Sequence, residues 1–395
     1  MSAAAGPTRT VLCPVCGGSP HPLLSLSTQP IYQHPVPADA QVPGPYAVDL
    51  SWVQCESCAH AWQAHFDESL LETIYRSHYY TPAPDGIAVQ FRNDFLSALQ
   101  SFGLMSARAT LLEIGASDGN VLAEVKERTG ARTAYAFEPN RENAVIARNR
   151  GLQVHEAFFG RESAREGLNP ADMVYSRHVI EHIFQFSDFF TGINEAATSD
   201  ADLILETPSL DHHGCHGSLS PFHVEHVHVF SLRSLATLAQ RFGWTLTQNV
   251  VTADGNLIAA FRRGGSQSAA AEFAPPRLQG LQAASDALSR RLRELVDGRR
   301  LIFWGAGSAG VGLACMIGRE PDFWTDGNAN KIGKRFPGLT SDIVSPGAAL
   351  SMAGNHGAGE PLLVITSSFA SEILPQVREL GWSGEIVDMR GNRLQ

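Results

Sequence analysis

The segment over residues 110–139 constrains the fold of this 395-residue chain more than any other. An apolar stretch that ends at Ile114 runs into the small-residue turn GASDG, a helical pattern follows, and a second apolar stretch ends on Glu138. Small residues in such a turn let a ligand approach the backbone, and the helix that follows presents amide N–H groups to it. The pattern therefore predicts a β-α-β unit that binds a nucleotide-type cofactor, with the acid accepting hydrogen bonds from ribose hydroxyls.

The charge of the turn indicates which cofactor this is. A dinucleotide needs G-x-G-x-x-G so that its pyrophosphate lies at the helix start, whereas here Glu113 and Asp118 flank the turn and would repel an anion. S-adenosylmethionine (SAM) carries a sulfonium and an ammonium group, which suit these two acids. The predicted cofactor-binding residues are Glu113, Gly115, Ala116, Ser117, Asp118, Gly119, Asn120, Glu138, Pro139 and His178.

Two CxxC pairs lie within the first 65 residues, Cys13 with Cys16 and Cys55 with Cys58. The segment is rich in proline and too short to bury much apolar surface, so it needs a crosslink. Four thiolates at this spacing are typical of a tetrahedral zinc site, and because they fill all four positions the ion would be structural. The alternative is four reduced cysteines without a metal.

The middle of the chain continues the order of strands found in class I methyltransferases. ADMVYSRHVIEHI (171–183) and ADLILETP (201–208) resemble the fourth and fifth strands of that fold, and WTLTQNVV and NLIAAFRR resemble its final hairpin. The predicted fold class is therefore α/β. It comprises a class I SAM-methyltransferase Rossmann-like core, an N-terminal zinc-binding module and a smaller C-terminal α/β Rossmann-like domain.

The length allows several domains. We predict a zinc-binding module over residues 1–65, a helical cap over 66–104, a methyltransferase core over 105–263, a linker and helix over 264–298, and the Rossmann-like domain over 299–395. In the last, Gly305, Gly307 and Gly310 form G-x-G-x-x-G after an apolar strand, and the next strand ends on Asp326. This pattern alone would predict a dinucleotide site, but the short loop TDGNANKIGKRFPG after the acid favours a half-sized α/β domain.

Histidines and acids crowd into PFHVEHVHVFS (221–231), after the predicted fifth strand. In this fold the loop lies beyond the carboxyl ends of the strands, where the methyl group of the cofactor would point. A neutral histidine beside a carboxylate can take a proton from carbon near neutral pH, so His226 with Glu225 is a candidate base. His182, after the fourth strand, would lie near the same opening. Alternatively, several of these histidines, above all His223 and His228 but also His226, only hydrogen-bond buried loop backbone.

Composition excludes several classes of function. The formal net charge is −10, from 30 Lys and Arg against 40 Asp and Glu, and no basic run is present, which argues against nucleic-acid binding. The uncharged run over 301–318 contains five glycines and fits a strand, turn and helix better than a membrane span. No secretory signal is recognisable. We expect a cytoplasmic protein with no nucleic-acid or membrane partner, as a monomer or small homo-oligomer.

Six motifs follow one another along nearly the whole chain: the two CxxC pairs, YRSHYYTPAPDG, EIGASDGN, VEHVHVFS, GAGSAG and TDGNANKIGKRFPG. As an ordered set they resemble the sugar C-methyltransferases of deoxysugar biosynthesis, which methylate a carbon of a nucleotide-linked 4-keto-hexose. The resemblance implies that a base removes the proton beside the keto group and that the enolate attacks the methyl group of SAM. It also implies His226 as the base, Glu225 as its partner, and Tyr79 or Tyr80 and His182 as hydrogen-bonding groups at the sugar.

The same resemblance implies a small-molecule nucleotide-sugar partner, held in part by the C-terminal domain. The predicted substrate-binding residues are His223, Gly305, Gly307, Lys331, Lys334 and Arg335. Relatives carry a lysine in the C-terminal glycine loop where this chain has Ser308, Ala309 and Gly310, so the three cations would have to replace it. Alternatively, they form a solvated basic loop.

Other functions stay open. O-methylation of a sugar or glycan needs no carbon acid but could use His226 in the same position. A protein that binds SAM or sugar without turnover is less favoured, because Glu113, Asp118 and Glu138 are all present. An NAD-dependent oxidoreductase that uses GAGSAG is the weakest alternative.

Overall fold

A computed structural model describes residues 12–65, 70, 74, 87–165, 167–264, 278, 280–355, 360–367 and 370–394. Its strands are β1 (Pro20–Pro30), β2 (Val36–Pro37), β3 (Ala47–Cys55), β4 (Ala61–Gln63), β5 (Thr110–Ile114), β6 (Thr133–Phe137), β7 (Gln153–His155), β8 (Ala171–Arg177), β9 (Ala197–Pro208), β10 (His228–Val229), β11 (Trp244–Val251), β12 (Asn256–Arg263), β13 (Arg300–Trp304), β14 (Phe323–Thr325), β15 (Lys334–Arg335), β16 (Ile343–Val344), β17 (Pro361–Ile365) and β18 (Glu385–Asp388). Its α-helices are α1 (Ile87–Ser101), α2 (Asn120–Thr129), α3 (Arg141–Asn149), α4 (Phe186–Ala196), α5 (Leu210–Cys215), α6 (Leu232–Arg241), α7 (Leu281–Val296), α8 (Ser308–Ile317), α9 (Pro346–Asn355) and α10 (Ala370–Glu379). Tyr79 and Tyr80 lie outside the described residues.

The central sheet has seven strands in the order β11-β12-β9-β8-β5-β6-β7. Strands β9, β8, β5, β6 and β7 run parallel to one another. The β11–β12 hairpin extends the sheet, because β12 pairs antiparallel with β9. This is the sheet of the class I SAM-methyltransferase fold, which confirms the predicted fold class. The chain order reverses between β5 and β8, so the loops after these strands diverge and open a crevice there.

The sequence of β5, TLLEI, explains its central position, because all five residues are buried, as expected of a parallel strand covered on both faces. Alternate residues of the strand face two different cores. Leu111 packs in a core with α1 and α2, whereas Leu112 packs in a core with α4 and α6. The sheet therefore lies between two helical layers.

The N-terminal module is joined to the methyltransferase domain by a shared sheet. Strands β1, β3 and β4 are antiparallel, and β10 pairs with β4 to extend the sheet to four strands in the order β1-β3-β4-β10. Trp52 and Leu50 of β3 share a core with Phe222, Val224 and Val229. The loop that carries the predicted base is therefore packed directly on the module.

The C-terminal domain has a five-stranded parallel sheet in the order β16-β14-β13-β17-β18. It too is attached to the N-terminal module, because β15 pairs with β2 and because Gln282 of α7 exchanges hydrogen bonds with the backbone of Ser25. Within the described parts of the chain, no helix is both long enough and apolar enough to cross a membrane.

Candidate active site

The turn after β5 needs glycine at two positions. Gly115 has a φ of +76° and Gly119 has a φ of +73°, which is the left-handed region that favours glycine. A Cβ atom on Gly115 would lie 2.4 Å from Cγ2 of Val179, and one on Gly119 would lie 2.5 Å from Cδ1 of Leu152. The turn is therefore packed tightly against the loop after β8 and against the region before β7.

Glu138 is held at the end of β6 by two backbone donors. The N–H of Ser117 donates to Oε2 at 2.7 Å, and the N–H of Asn140 donates to Oε1 at 2.8 Å, with Pro139 between the acid and Asn140. The side chain is 7% exposed, and burial raises its pKa although both hydrogen bonds act to lower it. Each oxygen keeps a further lone pair, so the carboxylate can accept the two hydroxyls of a ribose.

Asp118 and Asn120 are engaged with other parts of the protein. The carboxylate of Asp118 forms an ion pair with Arg150 at 2.9 Å and accepts the N–H of Asn120 at 3.1 Å. Asn120 in turn accepts a hydrogen bond from Arg92 at 3.4 Å through its side-chain oxygen. Asp118 therefore fixes the turn to the end of α3, and its predicted contact with the ammonium group of SAM stays a prediction.

Glu113 lies under the cofactor turn in a buried polar layer. It is 2% exposed and stands opposite Tyr175 in the β5–β8 register. Burial raises the pKa of Glu113 to about 8, against the lowering effect of Arg177. Arg177 donates from Nε to Oε2 of the fully buried Glu206 at 2.6 Å. Glu113 is thus largely protonated at neutral pH, which leaves Glu138 as the more available carboxylate beside the turn.

His178 follows β8 in a left-handed backbone conformation, with a φ of +51°. Its Nδ1 lies 3.3 Å from Oε1 of Glu181, and its Nε2 lies 3.7 Å from Oε1 of Glu206. Burial acts to lower the pKa of His178, but the two carboxylates outweigh it and raise the value to about 9. His178 is therefore a cation at neutral pH, and its ring stacks on Phe91 with centroids 5.5 Å apart.

The ring of His226 is oriented as a general base requires. Its Nδ1 lies 2.9 Å from the carbonyl oxygen of Pro221, and because a carbonyl only accepts, Nδ1 carries the proton and Nε2 keeps its lone pair. Burial, together with the neighbouring His223 and His182, lowers the pKa of His226 well below its ordinary value. The ring is therefore neutral at physiological pH and can accept a proton through Nε2.

His182 is held in the same tautomer by a different carbonyl. Its Nδ1 donates to the backbone oxygen of Glu225 at 2.7 Å, and its ring lies 5.0 Å from that of His226 in an edge-to-face arrangement. In the neutral ring Nε2 is therefore an acceptor, and only the protonated ring could donate to an enolate oxygen. The structure brings this pair together as the sequence predicted.

Glu225 acts through its backbone rather than through a contact of its carboxyl group with His226. Within the described residues its Oε1 is buried without a hydrogen-bond partner, and burial raises its pKa to about 7. The ring of His223 contacts that of His226 in a tilted arrangement, with centroids 3.7 Å apart, and burial lowers the pKa of His223 to about 3. The orientation of His226 thus depends on Pro221, whereas Glu225 is a nearby group that can exchange a proton near neutral pH.

His228 has a structural role. Its Nδ1 lies 3.0 Å from Nε2 of His60 in the N-terminal module, and its Nε2 lies 3.1 Å from the carbonyl oxygen of Ile183. Both histidines are at most 4% exposed. Nothing in the sequence of the loop distinguishes His228 from His226, because the partner that fixes it lies 168 residues away.

The four cysteines of the CxxC pairs come together as a metal site would require. All four sulfur atoms lie within 4.8 Å of one another, with Cys13 and Cys58 at 3.6 Å and Cys16 and Cys55 at 3.4 Å. A disulfide needs about 2.05 Å, whereas a tetrahedral ion with bonds of about 2.3 Å spaces its sulfur ligands by about 3.7 Å. Hydrogen bonding from Cys58 lowers the pKa of Cys13 to about 6, whereas burial raises that of Cys16 to about 11 and the hydrogen bond with Cys13 raises that of Cys58, so the spacing of the sulfur atoms is the stronger argument. The residues fit zinc.

The C-terminal glycine loop repeats the arrangement found at Glu138. The two oxygens of Asp326 accept the N–H groups of Ala306 and Asn328, each at 2.8 Å. Gly305 has a φ of +126°, and a Cβ on it would lie 2.8 Å from the carbonyl oxygen of Thr366. Gly307 is the N-cap residue of α8, and its role in binding substrate stays a prediction.

Two of the three cations predicted to bind substrate are already paired with acids. Lys331 lies 2.8 Å from Asp326, and Arg335 lies 2.7 Å from Asp342. Lys334 is half-buried in β15, where its backbone pairs with Pro37 of the N-terminal module. Their role in binding a phosphate stays a prediction.

Known proteins share parts of this chain. Residues 89–249 match the family model of a methyltransferase domain. "C-methyltransferase NovU" of Streptomyces niveus is 28% identical over 305 residues, which cover 67% of this chain and 71% of that protein. The N-methyltransferase NodS of Bradyrhizobium japonicum WM9 is similar over 45% of this chain and 97% of its own, with 14% identity and a TM-score of 0.33. A SAM-dependent methyltransferase of Aquifex aeolicus is similar over 50% of this chain and 100% of its own, with 16% identity and a TM-score of 0.37.

The methyltransferase family model covers the strands that form the cofactor turn and the loop of His226. It agrees with the strand order of the central sheet, which is that of class I methyltransferases. This protein is therefore a SAM-dependent methyltransferase with a class I core.

Proposed function

We propose that this protein methylates a carbon atom of a nucleotide-linked 4-keto-deoxysugar. The observation that carries the proposal is the ring of His226, which is half-buried, neutral and held by Pro221 with its lone pair on Nε2. The 28% identity to a C-methyltransferase supports the same conclusion. Transfer to a carbon needs such a base, because a carbon next to a keto group becomes a nucleophile only after it loses a proton.

In the proposed reaction, Nε2 of His226 takes the proton from the carbon beside the keto group, and the C–H electron pair forms the enolate. The bound SAM supplies an electrophilic methyl group. The enolate carbon attacks that methyl group, a C–C bond forms, and the methyl–sulfur electron pair stays on sulfur. The proton on His226 then returns to solvent, and Glu181, whose carboxylate oxygen lies within 4.8 Å of a ring nitrogen of His226, is the carboxyl group close enough to relay it.

We place the donor at the turn after β5. Glu138 would accept the ribose hydroxyls, and the backbone of Gly115 and Ala116 would lie against the ligand, since a side chain at Gly115 would clash with Val179. A zinc ion at the four cysteines would stabilise the N-terminal module, and it would have no free position for substrate. The C-terminal domain would hold the nucleotide half of the substrate at the loop of Gly305 and Gly307.

The test is solvent exchange at the sugar. The protein is incubated in D2O with S-adenosylhomocysteine, which cannot donate a methyl group, and with a panel of 4-keto nucleotide sugars. Carbon methylation requires exchange of the C–H beside the keto group, seen as loss of its proton NMR signal. Methyl transfer from labelled SAM without any exchange would show that an oxygen is the acceptor.

O-methylation has one observation in its favour. A carboxylate oxygen of Glu181 and a ring nitrogen of each of His182 and His226 lie within 4.8 Å of one another, a set that could hold a divalent cation. Such an ion would acidify a bound hydroxyl, which O-methylation uses, but it would occupy the lone pair that a carbon acid needs. Activity that requires added divalent metal would favour this candidate, and activity that survives removal of such metal favours carbon methylation.

A further inference from the structure

The N-terminal module reaches the base through one buried side chain, Gln63. This residue ends β4, is 2% exposed, and lies five positions after the last predicted zinc ligand, Cys58. Its backbone N–H donates to the carbonyl oxygen of Val227 at 3.0 Å. Its side chain points into the turn that carries His226, where it contacts backbone atoms.

The side-chain amide of Gln63 contacts three backbone carbonyl groups of that turn. Its Nε2 lies 2.7 Å from the carbonyl oxygen of His226, 3.1 Å from that of Val224 and 3.2 Å from that of His223. Two N–H donors are thus shared among three carbonyl acceptors, and the shortest contact is to the backbone carbonyl of His226 itself. A buried carbonyl that loses its donor is costly, so these contacts fix the backbone on both sides of His226.

The surrounding contacts make the attachment rigid. β10 pairs with β4, His228 is hydrogen-bonded to His60, and the N–H of Val227 donates to the carbonyl oxygen of Glu181. The turn is thereby tied to the module on one side and to the loop after β8 on the other. The ring of His226 itself is oriented by Pro221 of the same turn, so its position follows the backbone that Gln63 holds.

We propose that Gln63 is a positioning residue for the reaction, and that the zinc-binding module serves to place the base as well as to stabilise the fold. This inference rests on the proposed function, because it assigns Gln63 a role through His226. Gln63 touches neither the cofactor turn nor Glu138 in the described contacts. Its loss should therefore leave SAM binding intact and impair proton removal.

The test compares Gln63→Leu with the matched change Gln54→Leu. Gln54 lies in the same module, is 6% exposed, and donates from Nε2 to the carbonyl oxygen of Ala59 at 3.2 Å, which keeps its bond within the module. Each full-length variant is assayed for zinc content, for SAM affinity by calorimetry, for methyl transfer, and for deuterium exchange at the sugar. A displacement of the base by about 1 Å costs on the order of a hundredfold in rate.

We expect Gln63→Leu to lower both kcat and the exchange rate by about a hundredfold, with zinc content and SAM affinity unchanged and Gln54→Leu close to wild type. Exchange within a few-fold of wild type in Gln63→Leu would overturn the inference. So would an equal loss in Gln54→Leu, since it would reflect general damage to the module. Absence of exchange in the wild-type protein would instead refute the proposed carbon methylation, so the two failures are distinguishable.

Discussion

Replacing Glu138 by glutamine should weaken SAM binding strongly while leaving the fold intact. In the structure each carboxylate oxygen already accepts one backbone N–H, from Ser117 or from Asn140, and offers its second lone pair to the ribose. An amide has only one acceptor oxygen, so one ribose hydroxyl would lose its charged partner. A hydrogen bond to a charged group contributes roughly 1.5–3 kcal/mol, which corresponds to about 10- to 150-fold in affinity.

The same change also leaves one backbone N–H facing an NH2 group. An unsatisfied buried donor costs roughly 1–3 kcal/mol of the free energy of unfolding. Glutamine carries no charge, so the variant avoids the cost of burying a carboxylate, the same cost that raises the pKa of Glu138. This offsets part of the loss of stability. The net loss of stability should therefore be smaller than the loss of binding, and the variant should remain folded by circular dichroism.

Calorimetry with SAM and with S-adenosylhomocysteine measures the effect directly. The control is Glu142→Gln, the same substitution on an exposed acid in the first turn of α3. It should bind both ligands like the wild type. If Glu138→Gln binds SAM within a factor of two of the wild type, the carboxylate does not hold the ribose and the assignment of the turn is wrong.

Three further predictions concern the zinc site, the half-buried His178 and the C-terminal domain. The protein should contain about one zinc per chain, and Cys58→Ser should remove it and lower the unfolding midpoint by roughly 5 °C or more, whereas the exposed Cys215 should tolerate the same change. The carboxylates raise the pKa of His178 to about 9 in the folded protein. The contribution of its ion pairs to the free energy of unfolding is therefore complete below the unfolded pKa of about 6.5 and is lost as pH rises through 9. Between pH 6.5 and 9.5, wild type should therefore lose roughly 1–3 kcal/mol more of its free energy of unfolding in urea than His178→Gln does; equal losses would contradict the ion pairs. Finally, Lys334→Ala should raise KM for the nucleotide sugar by about tenfold at unchanged kcat. A lysine that binds a phosphate equally in the ground state and the transition state contributes about 1.4 kcal/mol to substrate binding alone. An unchanged KM would favour the solvated-loop alternative.

Features that depend on neighbouring strands could be predicted from the sequence. A strand, a glycine turn and a second strand ending on an acid bring Glu138 beside Ser117, because adjacent parallel strands end at the same edge of the sheet. The four cysteines could be predicted for a similar reason, since each CxxC pair holds its two sulfur atoms close together. In both cases short segments of the chain contain the residues that the prediction needs.

Roles set by distant partners could not be predicted. The loop PFHVEHVHVFS contains several histidines whose roles look alike in the sequence. The structure distinguishes them: the pairing of β10 with β4 brings His228 to His60, whereas His226 has no such contact among the described hydrogen bonds. Gln63 carries no sequence signal at all, because an isolated glutamine in a short strand has no pattern. Its role depends on the fold bringing residues 160 or more positions apart into contact.

The C-terminal cations show a different difficulty. The sequence alone suggests that Lys331 and Arg335 are unpaired positive charges. In the structure each forms an ion pair with an acid within seven residues, Lys331 with Asp326 and Arg335 with Asp342. Side-chain geometry decides between an ion pair and an open phosphate site, and composition does not contain that geometry. The two tyrosines predicted at the sugar, Tyr79 and Tyr80, lie outside the described residues and stay predictions.

The most direct test of the account is single-turnover methyl transfer by His226→Asn with labelled SAM and a 4-keto nucleotide sugar. We expect a rate at least about a hundredfold below wild type, with SAM affinity within a factor of two, because His226 supplies the base and Glu138 holds the donor. A transfer rate within a few-fold of wild type would contradict the central claim that the imidazole of His226 activates the sugar.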